Sequence, residues 1–137
     1  MNRTNETSTN SNAAGEPDGA MRRVLLAFAL DLVAIVVFIA IGRRNHDEDL
    51  SLTGFLGTLA PFVIALAVTW FIARVWNHPI DLKAGVTVWI GTVAIGMVLR
   101  RFVFDDGTAT AFIIVASVFI GALVNGWRTY ARFRASS

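Results

Sequence analysis

The stretch that decides the fold is VLLAFALDLVAIVVFIAI, Val24 to Ile41. It is apolar at every position but one, and the exception, Asp31, stands near its middle. Gly42, Arg43 and Arg44 close it. At about 1.5 Å of rise per residue, a helix of roughly 18 apolar residues is long enough to cross the hydrocarbon core of a bilayer. Three more apolar runs follow it in the chain. The sequence therefore predicts an all-α fold, an integral membrane bundle of four transmembrane helices, with spans at about 24–42, 51–73, 84–100 and 109–127.

Composition agrees. The chain has 137 residues, 55% hydrophobic and 16% charged, against roughly a quarter charged in soluble domains. This length holds one domain, placed at 21–128. Residues 1–20 are rich in Asn, Thr, Ser and Gly and have little apolar surface to bury, so they read as a disordered tail. Residues 129–137 read as a basic C-terminal tail. The apolar run is too long for a signal peptide, and further spans follow it, so the first span should be retained.

Each span carries one informative polar or small face. The second contains Pro61, which should kink it and free the carbonyl of Gly57. Thr58 or a neighbouring helix is expected to satisfy that carbonyl. Gly57, Pro61, Ala65, Thr69 and Ala73 recur every four residues and form a smooth face suited to close helix approach. The third span aligns Gly85, Trp89, Thr92, Gly96 and Arg100. The fourth aligns Ser117, Gly121 and Asn125. These small-residue faces are expected to dock other helices, making a homo-oligomer or a larger membrane partner the expected associate besides the lipid bilayer.

Eleven of the twelve basic residues are arginine, and most flank the apolar runs. With four spans, Arg3, Arg22, Arg23, Arg74, Lys83, Arg128, Arg132 and Arg134 fall on one side. Arg43, Arg44, Arg100 and Arg101 fall on the other. Basic residues accumulate on the cytoplasmic side, which predicts a plasma-membrane protein with both termini cytoplasmic. Basic residues spread over span ends, rather than gathered on one folded surface, argue against a nucleic-acid partner. Trp70, Trp76, Trp127 and Tyr130 all lie near the same interface and read as an aromatic belt. Trp89 lies deeper and should pack inside the bundle.

The polar groups that must be buried are the candidate site. An unpaired acid at mid-membrane costs about 2.5–3.5 kcal/mol on insertion scales, so Asp31 should not face lipid. Thr69, Trp89 to Thr92 and Ser117 to Gly121 lie at matching depth, and no arginine is expected there. Two roles fit Asp31: a proton- or cation-linked group, or a hydrogen-bonding hub that ties helices together. The hub weighs more, because no second ionisable group accompanies Asp31 within a span. At the opposite end, Arg43, Arg44, His46, Arg100 and Arg101 are a candidate anion site or salt-bridge cluster. Asp47, Glu48, Asp49, Asp105 and Asp106 are the acids that would neutralise it. His46 and His78 lie on opposite sides and cannot share a metal, so no metal and no cofactor are expected. Phosphate-loop, nucleophile-elbow and zinc-protease motifs are all missing, and no enzymatic activity is expected.

Taken together, these residues resemble a known family. The pattern is an Asp in the first span, Gly42-Arg43-Arg44-Asn45-His46, Pro61-Phe62, Trp89, Gly96-Met97-Val98-Leu99-Arg100-Arg101 and Gly126-Trp127-Arg128. It is similar to a prokaryotic family of small integral membrane proteins classed as a domain of unknown function (numbered 3054). The likeness runs from about Met21 to Arg128. It implies four membrane helices and places Asp31, His46, Pro61, Arg100 and Arg128 in the family pattern. It implies no activity. The chain departs from the pattern just after Pro61-Phe62, where a Trp or Gly would be expected.

Overall fold

The computed structural model describes residues 16–45 and 51–137. Four long helices make up the described chain: α1 (Glu16–Asn45), α2 (Leu52–Ile72), α3 (Leu82–Phe102) and α4 (Thr110–Ala135). Stretches of each are long and apolar enough to cross a membrane, over Asp18–Arg44, Leu52–Ile72, Leu82–Phe102 and Thr110–Ala135. The helices run up and down in sequence order. α2 packs on α1 and α3, and α4 packs on α3 and α1, closing the ring. α1 and α3 are thus diagonal rather than neighbours.

Two boundaries differ from the sequence reading. Residues 16–20, assigned above to the tail, are the first turns of α1. Pro17 is tolerated there because a first-turn N–H has no helical partner to lose. At the other end α4 runs on through Ala135, so most of the expected C-terminal tail is helix.

Which face each helix buries follows from helical spacing. On α1 the buried residues are Ala27, Asp31, Ala34, Ile35, Phe38, Ile39 and Arg43, a stripe at intervals of three and four. Leu25, Leu26, Leu30, Val33, Val37 and Ile41 point away from the bundle. An apolar surface this large on the outside is stable only if acyl chains solvate it, which fits a multi-pass membrane protein. The core between the helices is built from Phe38, Phe62, Leu66, Val88, Ile120 and Val124 with their neighbours.

Several of the small residues serve packing inside the bundle. On α2, Pro61, Ala65 and Thr69 are buried inside the bundle, and only Gly57 and Ala73 at the stripe's ends are exposed. A Cβ on Gly96 would lie 2.6 Å from the Phe62 ring, and one on Gly121 would lie 2.6 Å from the Trp89 ring. Both glycines let an aromatic side chain from a neighbouring helix lie against their backbone. Pro61 sits within α2, which stays a single helix. Thr58 does not serve the Gly57 carbonyl. Its hydroxyl donates to the Gly54 carbonyl at 3.1 Å and accepts from Arg43 Nη1 at 2.9 Å.

The α2–α3 connection caps one end of the bundle. Arg74 takes a left-handed conformation (φ 50°), which ends α2, and a 3-10 turn follows over Val75–Asn77. Val75 is buried and plugs the bundle end. The chain then brings the Pro79 carbonyl to Arg128 of α4, where it becomes part of the site.

A candidate functional site around Asp31

Asp31 and Arg128 are both fully buried, and they form a two-pronged ion pair. Arg128 Nη1 donates to Asp31 Oδ1 at 2.7 Å, and Nη2 donates to Oδ2 at 2.7 Å. Two indoles complete the carboxylate. Trp127 Nε1 donates to Oδ1 at 2.9 Å, and Trp70 Nε1 donates to Oδ2 at 3.0 Å. A carboxylate offers about four lone-pair directions, and all four are taken.

The cation is equally anchored. Arg128 Nε donates to the Pro79 carbonyl, and Nη1 also donates to the Val124 carbonyl, each at 2.9 Å. Its guanidinium carbon lies 4.4 Å from the centre of the Trp127 ring. Gly85 on α3 makes the space. A Cβ there would meet Asn125 Oδ1 at 2.5 Å and Arg128 Cδ at 2.8 Å. The edge of Phe28 packs on Trp70 at 5.2 Å between centroids, holding that indole in place. Asp31 thus joins α1 to α2 and α4, and through Arg128 to the α2–α3 connection.

This arrangement overturns two expectations. An arginine does reach Asp31, although none was expected at its depth. Side chains on a helix lean toward its N-terminus, so the Arg128 guanidinium lies a turn deeper than its Cα, beside the Val124 carbonyl. Trp70 and Trp127, read above as belt residues, turn inward as donors. Trp76 and Tyr130 remain exposed. Thr69 and Thr92, expected at matching depth, do not contact the carboxylate, and their buried hydroxyls make no hydrogen bond. Trp89 packs inside the bundle as expected and donates to the Ser117 carbonyl at 2.7 Å.

Each indole adds one hydrogen bond to the carboxylate. Replacing Trp70 or Trp127 by Phe should lower stability in detergent by about 0.6–1.7 kcal/mol. That is the range for polar contacts between membrane helices, where the unfolded state also finds partners. Reversible unfolding in mixed micelles, followed by circular dichroism, reads this directly.

At the far end, the arginine cluster divides. Arg43 and Arg100 both line one cavity, whereas Arg44 and Arg101 are exposed and take no part in it. Arg100 lies 3.5 Å from Asp106 Oδ2, donates through Nε to the Gly107 carbonyl, and stacks over Phe112 at 4.7 Å. His46 and the acids Asp47, Glu48 and Asp49 lie outside the described residues.

A four-helix membrane bundle in which a buried acid, Asp31, is paired to a buried arginine, Arg128, defines a class, the small polytopic membrane protein with an internal ion-pair lock. The particular family follows from comparison. The model of the family described as Protein of unknown function (DUF3054) matches residues 28–131. The chain belongs to that family, and the match contains every member of the Asp31 site. A search of curated proteins and one of solved structures each returned no match.

Proposed function

We propose that this protein is a non-enzymatic accessory or scaffolding component of the plasma membrane, with both termini cytoplasmic and Asp31 as a fixed structural node. The observation that carries this reading is the saturation of the Asp31 carboxylate by four N–H donors, two of them from a buried guanidinium. A proton or cation in transit would have to displace Arg128, which is itself held by two backbone carbonyls. Breaking a buried pair of this kind costs about 3–5 kcal/mol, a poor property for a site that must load and unload. The exposed apolar flanks of α1 and α4 then remain for lipid, a second copy or a larger membrane partner.

The competing role is a small transporter or channel-like unit using Asp31, and flux decides between them. Liposomes containing the protein should conduct protons, Na⁺ and K⁺ no faster than protein-free liposomes. A protein-dependent flux that disappears in a folded Asp31→Leu/Arg128→Met variant would overturn the scaffold reading.

A further inference from the structure

We propose that the α2–α3 hairpin binds one anionic phospholipid of the leaflet on its side. An acyl chain lies in the groove between the two helices, and the phosphate meets the cations of the connection. Two cavities adjoin there, and Ala73 and Thr87 line both. The inner one, of about 380 Å³, is apolar, with Ile72, Val86, Ile90 and Ile95 as its walls. That volume lies within the roughly 300–1,000 Å³ usual for ligand sites. The outer one, of about 240 Å³, is lined by Arg74, His78, Asp81 and Lys83. Apolar first and charged at the mouth, the pair has the order of a lipid.

The groove opens outward. Ile72, Val86 and Ile90 on its rims are exposed. Thr69 packs directly on Gly91, where a Cβ would stand 2.6 Å from Thr69 Cγ2, and so closes the floor. On α3 the lining runs from Val86 to Ile95, about 14 Å of helix at roughly 1.5 Å per residue. The polar cavity lies where both spans end, α2 stopping at Ile72 and α3 starting at Leu82. Trp76, exposed in the same connection, suits the depth at which indoles meet headgroups.

The cations are free to serve. Arg74 and Lys83 are both exposed. Among the described residues, neither side chain is held by an ion pair, a hydrogen bond or a ring. Two long, unheld side chains need no preset convergence, since each can swing to an anion at the mouth of the cavity they line. Asp81 in the same cavity offsets one of the two charges and leaves the mouth net positive. Basic side chains at a bilayer surface attract anionic lipid, and the adjoining groove turns that attraction into a seat. The site shares no residue with the Asp31 pair, so the two stand or fall separately.

The test is native mass spectrometry of the delipidated full chain in detergent, titrated with phosphatidylglycerol, phosphatidylcholine and oleate. The expected result is one phosphatidylglycerol per chain, bound at least tenfold more tightly than either of the others. Arg74→Asn/Lys83→Gln should weaken it tenfold or more, and asparagine tolerates the left-handed backbone at position 74. Arg132→Gln/Arg134→Gln removes the same charge from the last turn of α4, outside the cavity, and should leave the affinity within about twofold. Thr87→Leu should weaken binding several-fold with both cations intact, because it fills the junction of the two cavities. Thr87 is exposed, so the larger side chain displaces no core residue. Equal losses in the two charge-removing variants overturn the site in favour of diffuse attraction. Phosphatidylglycerol binding unchanged in Thr87→Leu overturns the groove as the acyl seat. Equal affinity for oleate, equal affinity for phosphatidylcholine, or no one-to-one adduct each overturns the assignment to an anionic phospholipid. A dimer that dissociates in Thr87→Leu gives the groove to a second copy and overturns the proposal as well.

Discussion

Asp31→Leu and Arg128→Met should each destabilise the bundle severely, by about 3–5 kcal/mol, because each leaves its former partner as an uncompensated buried charge. Asp31→Leu strands a guanidinium among Trp127, Val124 and Pro79. Arg128→Met strands a carboxylate with two indole donors, which soften the loss without supplying a countercharge. Asp31→Asn is not a gentle alternative. Its amide nitrogen brings N–H groups to a site where only acceptors fit, facing the Arg128 fork. The double variant Asp31→Leu/Arg128→Met behaves differently, since it removes both charges and replaces them with apolar groups of comparable bulk. Such replacements of buried ion pairs are often neutral or stabilising. It should therefore recover most of the stability lost by either single change. Unfolding in mixed micelles, monitored by circular dichroism and by retention of a monodisperse chromatographic peak, measures all three.

The second large effect is expected at Gly121. A methyl group there would stand 2.6 Å and 2.8 Å from Trp89 Cε2 and Nε1. An indole is rigid, so α3 and α4 must part or Trp89 must leave its slot. Leaving it would break the bond from Nε1 to the Ser117 carbonyl. Overpacking a tight contact costs typically about 1–3 kcal/mol, and loss of the hydrogen bond adds about 0.6 kcal/mol or more. Gly121→Ala should thus lower the unfolding free energy by roughly 2–4 kcal/mol. Gly126→Ala, five residues along the same helix, is its control, because a Cβ there meets nothing within 4 Å. A cost at Gly121 no larger than that at Gly126 would contradict the close approach of α3 and α4.

Much of this was legible in the sequence. Four greasy runs ending in arginine can be little other than membrane helices, and the α1 stripe through Asp31 is plain from spacing. Trp89, Thr92 and Gly96 share a packed face because they recur at helical intervals. The partner of Asp31 was hidden by position. Arg128 stands at the end of its span among Trp127, Arg132 and Arg134, where arginine ordinarily means an interfacial flank. Its register held the clue. Arg128 lies four residues after Val124 and seven after Gly121, on the face that α4 turns inward, and its side chain leans back toward the membrane interior. Trp70 was misread for the same reason, since distance along the span says nothing about which face a residue occupies. The role of Pro79 had no sequence signal. It is a carbonyl that any residue carries, made useful by the turn that Arg74 begins.

The most direct test of the central claim is the coupling energy between positions 31 and 128. It comes from the unfolding free energies of the wild type, the two single variants and the double variant. An ion-pair lock predicts strong coupling of about 3 kcal/mol or more, with the double variant more stable than either single one. Losses that simply add, giving a coupling near zero, would mean that Asp31 and Arg128 are not partners in the membrane.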